Sequence, residues 1–287
     1  MNYYKVLGLE REPFSTSPDP DFFYQSDEHK AALTNILIEI RLRRGLSVIL
    51  GDIGTGKTTL SRKLFQLLAS RADIDFHMML DPTYDSEELF LLSLIKTFGI
   101  EVNLTDHNIL ELKSAIKDFL FQKGVNESKT IVLLIDEAQK LNSLSLEVLR
   151  MLLNYETNEF KLLQLVILGQ VELQPRLIET RNLLDRVSLL YTLSPFSIEE
   201  TREMIEFRIR QAGYEGSDKL FNEEAIRQIY RHTEGYPRRI AMLCHKGLKL
   251  LVMRNKLIVD IEIIKELVED EAKLRWQKTS LLLKNSY

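Results

Sequence analysis

The stretch Gly51-Asp52-Ile53-Gly54-Thr55-Gly56-Lys57-Thr58 constrains this chain more than any other. It fits the pattern G-x-x-x-x-G-K-[ST] in full, a match that average residue usage would give in a chain this long roughly one time in a hundred. Its surroundings narrow the reading further. An apolar run at residues 46–50 precedes it, and a helical pattern over residues 57–70 follows. The expected local structure is a buried strand, a tight glycine turn and a helix. Glycines let the backbone curl so that successive N–H groups point at phosphate oxygens, and the helix N-terminus adds the positive end of its dipole. On this reading residues 51–57 supply the main-chain donors. Lys57 neutralises the β- and γ-phosphates, Thr58 offers its hydroxyl to Mg²⁺, and Thr59 continues the binding stretch.

Strand-like and helical patterns alternate around this motif. Apolar runs at 46–50, 74–80, 130–135 and 162–168, with a weaker one at 189–193, read as strands. Helical patterns fall near 31–44, 57–70, 86–97, 108–122 and 145–155. Continuous apolar strands separated by amphipathic helices imply a parallel sheet covered on both faces, an α/β class. The run Ile131-Val132-Leu133-Leu134-Ile135 ends in Asp136-Glu137. A buried parallel strand delivers such carboxylates at its C-terminal end, where open α/β sheets bind ligands. Asp136 is expected to hold the Mg²⁺ shell, and Glu137 to accept a proton from, or orient, an attacking water.

Phosphoryl transfer needs further polar and positive groups around the γ-phosphate. The strand at 162–168 runs into Gly169-Gln170, so Gln170 would end near that phosphate if its strand lies beside the one carrying Asp136. Arg186 and its near neighbour Arg181 are both candidates for completing a site across a subunit boundary. After residue 195 strands cease. Ser197 with Glu200 forms a capping-box pattern opening a helix to about residue 211, and helices are expected near 222–232, 237–254 and 260–271. Gly235-Tyr236-Pro237-Arg238 opens one of them. Pro suits the first helical turn, and Arg238 would reach back from it to the phosphates, with Arg239 on another face.

Composition excludes several alternatives. The 287 residues are 45% hydrophobic and 28% charged, an ordinary globular balance. With 38 basic and 42 acidic residues the net charge is −4, which opposes a globally basic nucleic-acid binder. Locally the balance differs: residues 224–256 hold eight Lys or Arg against Glu224 and Glu234, a local charge near +6 that could meet DNA phosphates, an acidic neighbouring subunit or solvent. Arg41, Arg43 and Arg44 form a shorter basic cluster suited to a helix end. The stretch 272–287 has four basic residues and no acid, and includes Trp276 and Leu281-Leu282-Leu283, a docking helix or a frayed end. Cys244 is the single cysteine, so no internal disulfide or cysteine-cluster zinc site can form. No run approaches the length of a membrane helix, and the opening residues lack the apolar region of a leader, so a cytoplasmic protein without membrane insertion is the expectation.

Together these features resemble an AAA+ ATPase. A closer likeness is carried by Tyr3-Tyr4-Lys5 with Leu7-Gly8-Leu9, Pro13-Phe14, Pro18-Asp19-Pro20 and Phe22-Phe23-Tyr24. It continues in Leu168-Gly169-Gln170-Val171-Glu172-Leu173, in Arg208 with Ala212-Gly213, and in Gly235-Tyr236-Pro237-Arg238-Arg239-Ile240 with Leu243-Cys244. In these stretches the chain resembles the ExeA-type ATPases of the general secretion pathway. The resemblance implies a P-loop αβα core with a five-stranded parallel sheet over residues 1–195, a helical lid over 196–271 and a basic tail over 272–287. It implies sensor roles for Gln170 and Arg238, adenine contacts from the segment around Phe14 and Tyr24, and Arg186 as the better candidate finger in trans. The expected activity is Mg²⁺-dependent ATP hydrolysis, with ATP and ADP as ligands, in a ring or filament that converts nucleotide state into lid movement. Secretion or pilus proteins are the expected partners, and an ATP-dependent DNA-binding adaptor of the transposition type is the alternative. Full-length secretion members continue into a membrane segment and a peptidoglycan-binding domain. A sequence ending at Tyr287 fits either a naturally short form, as among pilus- and transposon-associated relatives, or the leading part of a longer chain.

Overall fold

A computed structural model describes residues 2–101, 108–180 and 182–284, with side chains to residue 273. In chain order the elements are α1 (Tyr3–Val6), α2 (Asp27–Arg41), β1 (Leu46–Gly51), α3 (Lys57–Leu68), β2 (Ile74–Met79), α4 (Glu87–Phe98), α5 (Ile109–Phe121) and β3 (Thr130–Ile135). They continue with α6 (Ser143–Leu152), β4 (Leu163–Gly169), α7 (Leu173–Glu179), β5 (Val187–Leu193), α8 (Ile198–Gln211), α9 (Glu223–Thr233), α10 (Pro237–Met253) and α11 (Ile261–Lys284). The chain forms two compact units. One comprises Asp27–Ile53 and Lys57–Ser194, and the other Met1–Ser26, Gly54–Gly56 and Pro195–Tyr287.

The first unit is built on a five-stranded sheet in the order β2-β3-β4-β1-β5. Every neighbouring pair runs parallel. Burial follows position in that order. β1 and β4 are buried along their whole length and β3 at all but its first residue, so an unbroken apolar sequence is what these strands require. The edge strand β5 alternates between half-buried and exposed until Leu193, which is why its sequence signal is weak. Alternate residues of the central strands, including Leu46, Val48, Leu133, Ile135, Leu165 and Ile167, join a core with Phe90 and Leu94 of α4, Ile116 of α5 and Leu149 of α6.

The registers fix what the sheet presents. Leu50 lies beside Gly169, and Ile135 beside Ile167. The C-terminal ends of β1, β3 and β4 therefore lie along one edge of the sheet, with Ile135, the last residue of β3, opposite Ile167 and two residues short of the end of β4. β4 separates the other two, so they lie about 10 Å apart, two interstrand spacings.

The second unit is helical among its described residues. Ser197 accepts from the N–H of Glu200 while Glu200 accepts from the N–H of Ser197, so the capping box opens α8 as expected. Residues 2–26 pack into this unit's core. Leu9, Phe14 and Phe22 are buried with Ile205, Phe221 and Ile240. Arg208 holds the segment through its carbonyls: its guanidinium donates to Phe22 O (3.1 Å), Pro13 O (3.4 Å) and Ser15 O (3.3 Å). Burial lowers the Arg208 pKa to about 10, which leaves it charged at neutral pH. α11 runs on to Lys284, beyond the end expected near residue 271, while Trp276 and Leu281–Leu283 lie outside the described side chains. No helix among the described residues is long and apolar enough to cross a membrane.

Candidate active site at the sheet edge

Three loops leave these strand ends and meet in the sheet unit. After β1 the chain turns through Asp52, Ile53, Gly54, Thr55 and Gly56 into α3, which begins at Lys57. Gly54 has φ +89°, a left-handed conformation that a side chain would strain. Lys57 is buried, and its ammonium donates to Gly51 O (2.7 Å) and Asp52 O (2.9 Å), folding back over the loop that precedes it. Burial lowers its pKa, opposed by the carboxylates of Glu137, Asp136, Asp52 and Glu172.

Asp136 follows β3 and is 2% exposed. Its N–H donates to Met79 O of the neighbouring strand (2.9 Å), which fixes the turn. Its Oδ1 accepts from the N–H of Glu137 (2.9 Å), and Ser61 Oγ of α3 lies 3.4 Å from its Oδ2. The Thr58 hydroxyl also bonds this carboxylate. Burial raises the Asp136 pKa, and Glu137 adds to the rise, while the bonds from the Glu137 N–H and Thr58 and the charge of Lys57 oppose it. Thr58 and Asp136 thus pair two hard oxygen donors, the type that suits Mg²⁺, beside a buried ammonium.

Glu137 adopts φ +55° and ψ +34°, an uncommon left-handed backbone for a residue with a side chain. Gln139 Nε2 donates to Glu137 Oε2 at 2.6 Å. Gln170, half-buried just past β4, donates its main-chain N–H to Gln139 Oε1 at 3.1 Å. Because β4 lies beside β3, the condition set by the sequence is met and Gln170 stands next to the Glu137 turn. Arg176 of α7 donates to Gln139 O (2.8 Å) and Leu141 O (3.1 Å), bracing the same turn.

The remaining candidates stand elsewhere. Arg186 is bound within its own chain, donating to Asn182 O (2.6 Å) and to Asn154 Oδ1. Arg181 lies outside the described residues. Arg238 is exposed in the first turn of α10, and its N–H donates to Gly54 O at 3.3 Å, a contact within the helical unit as the chain divides. Arg239 is held by Glu234 (2.9 Å) and His232 O (2.7 Å), so the two arginines do take different faces. Phe14 is 1% exposed with its ring edge-on to Phe221, a position in which the ring itself cannot stack on a base. Tyr24 packs edge-on to Phe196 and donates to Glu203 (2.5 Å). Of the eight cations between 224 and 256, Arg239, Lys246, Arg254 and Lys256 pair with Glu234, Glu271, Glu266 and Asp260. Half of the local positive charge is thereby met inside the helical unit.

Sequence reasoning missed Ser61, Gln139 and Arg176. Ser61 lies one helical turn beyond Lys57, so the 3.6-residue period was a usable signal. Gln139 and Arg176 join the site only once β4 is placed beside β3.

The strand order and the glycine turn define the AAA+ P-loop NTPase fold with an added helical region. Residues 40–177 match the family model described as "AAA domain". Within that class the chain resembles the ExeA-type proteins: it is 35% identical over 248 residues to General secretion pathway protein A of Aeromonas hydrophila, covering 86% of this chain and 44% of that protein. The chain therefore spans less than half the length of this curated relative. Among solved structures, Cdc6p from Pyrobaculum aerophilum matches with a TM-score of 0.65 at 17% identity, covering 86% of this chain and 67% of that one. Drosophila ORC bound to DNA matches with a TM-score of 0.66 at 18% identity, covering 91% and 64%. At such identities these structures speak for the fold alone.

Proposed function

We propose that this chain is a Mg²⁺-dependent ATP hydrolase of the AAA+ class. The observation that carries the reading is the meeting of Lys57 and Thr58 with Asp136 and Glu137 in one cluster of the sheet unit. The main chain of Gly51, Asp52, Ile53, Gly54, Thr55, Gly56 and Lys57, with Thr58 and Thr59, cradles the phosphates. Lys57 exchanges its loop carbonyls for phosphate oxygens, which keeps its buried charge compensated. Thr58 and Asp136 would hold Mg²⁺, which supplies charge neutralisation at the phosphates. Glu137 orients the attacking water and takes its proton. Gln170 senses the γ-phosphate from the end of β4, and Arg238 senses nucleotide from α10. Phe14 and Tyr24 serve the adenine side, Phe14 by anchoring the segment through Ser15 and Thr16 rather than by stacking. ATP binding and hydrolysis drive movement of the helical unit.

In a ring or filament of this chain, Arg186 leaves Asn154 and completes a neighbour's site, with Arg181 as its rival. A cytoplasmic role beside secretion or pilus proteins fits the General secretion pathway relative. The alternative, an ATP-dependent DNA-binding adaptor, would rest on Arg227, Arg231 and Lys249, the basic residues left after pairing and Arg238 are set aside. Calorimetric titration with Mg²⁺ and ATP tests the site. Lys57→Ala is expected to weaken binding ~10-fold or more, about 1.4 kcal/mol. Equal heats from the variant and the wild type would overturn the assignment. Salt-dependent DNA binding that requires ATP would favour the adaptor.

A further inference from the structure

We propose that Gln139 is a positioning residue for the hydrolysis described above, tying the Glu137 carboxylate to the end of β4 through one carboxamide. The inference rests on that reading of Glu137 and assigns a role to a residue the motif does not include.

Gln139 sits in the short 3-10 turn Ala138–Lys140 directly after Glu137. Its side chain makes two bonds of opposite polarity. Nε2 donates to Glu137 Oε2 at 2.6 Å, and Oε1 accepts from the N–H of Gln170 at 3.1 Å. A carboxamide carries a donor and an acceptor on separate atoms, so it can donate to an anion and accept from an N–H at once. The two bonds also fix which way it points, since the flipped amide would face oxygen to carboxylate and nitrogen to N–H. The backbone of Gln139 is held independently, by Arg176 at its carbonyl oxygen (2.8 Å).

Glu137 needs such a partner. Its left-handed backbone is unfavourable for a residue with a Cβ, and persists only where neighbours over-determine it. The Asp136 carboxylate binds its N–H and Gln139 binds its carboxylate, so the residue is fixed at both ends. A carboxylate that orients a water gains from restricted rotation, because only one orientation is productive. The same carboxamide makes the carboxylate respond to the end of β4: any shift of the Gln170 N–H pulls on Oε1 and swings Nε2.

The experiment compares steady-state kcat and ATP affinity in the wild type, Gln139→Ala and Gln139→Glu. Gln139→Ala loses both bonds. Gln139→Glu keeps the acceptor for Gln170 but sets an anion against Glu137. Both variants are expected to lose turnover ~10- to 100-fold, the range for a misplaced catalytic group. ATP affinity should stay within about two-fold in each, since neither bond touches the phosphate loop. Wild-type turnover in Gln139→Glu would overturn the proposal, because the bond to Glu137 would then be idle. Unchanged turnover in both variants, or a joint loss of turnover and affinity, would overturn it as well, the latter by marking a purely structural role. A wild-type protein that binds ATP without hydrolysing it would instead remove the reading on which the proposal stands.

Discussion

Substitution of Gly235 by alanine offers a calibrated test of how α10 begins. Gly235 has φ +77° and immediately precedes Tyr236, the residue that leads into Pro237 and Arg238. A Cβ there would lie 2.0 Å from Phe196 O and 3.0 Å from Phe196 C and N. An ordinary contact is longer than the first of these by more than about 1 Å, and the atoms in the way are backbone, which cannot rotate aside. The N–H of Phe196 also donates to Gly235 O at 2.9 Å, a bond that any separation breaks. The left-handed Cβ costs about 1–2 kcal/mol and the lost bond about 1 kcal/mol. The expected destabilisation is therefore roughly 3 kcal/mol or more once the backbone shift is added. Gly8 supplies the control: its φ is +75°, and a Cβ there meets nothing within 4 Å, so Gly8→Ala bears only the conformational term. Urea denaturation followed by circular dichroism should place Gly235→Ala about 1–2 kcal/mol or more below Gly8→Ala. At a typical urea slope of about 2 kcal/mol per molar that is a midpoint gap near 0.5–1 M. Equal midpoints for the two variants would refute the collision argument and with it the described approach of Gly235 to Phe196.

Two further outcomes follow from one buried and one half-buried group in the helical unit. Cys244 is fully enclosed, and burial raises its thiol pKa, so an aqueous thiol reagent should modify it only as fast as the unit opens. Rapid labelling in native buffer would contradict the packing of α10. Glu271 of α11 accepts from Lys246 of α10 (2.5 Å) and lies 3.2 Å from His232 of α9. Burial raises its pKa, but the bonds and charges of Lys246 and His232 outweigh that, and the net shift is downward from 4.5. A lowered acid stabilises the fold above its unfolded pKa and loses that contribution as pH falls through the folded value. The stability gap between wild type and Glu271→Gln should accordingly be present at pH 7 and close below about pH 4. A gap that widens on acidification would show the sign to be wrong.

Different parts of the molecule were legible to different degrees. β1, β3 and β4 read directly because strands buried on both faces leave nothing but apolar residues. β5 read weakly because it is an edge strand with alternating exposure. Ser197 and Glu200 announced α8 because a capping box is local, three residues in span. The order of the strands was not legible: nothing in the sequence of residues 163–169 says that this strand separates β1 from β3, and the contact of Gln139 with Gln170 depends on that. α7, at seven residues with Pro175 inside it, is too short for periodicity to reveal. The packing of residues 2–26 was hidden for a different reason. Leu9, Phe14 and Phe22 follow no helical or strand period, and the guanidinium that binds Pro13 O lies 195 residues away in sequence. The phosphate loop and the strand-end carboxylates, by contrast, were visible because their chemistry demands fixed residue types at fixed spacing.

In the proposed mechanism the loop at Lys57 and the strand tip at Glu137 act on one triphosphate, the first by holding it and the second by promoting its cleavage. Phosphate release from saturating ATP by wild type and Glu137→Gln, with ATP affinity measured on the same samples, separates holding from cleaving. Glu137→Gln is expected to keep its affinity within about three-fold while hydrolysis falls ~100-fold or more. Undiminished phosphate release from Glu137→Gln would contradict it.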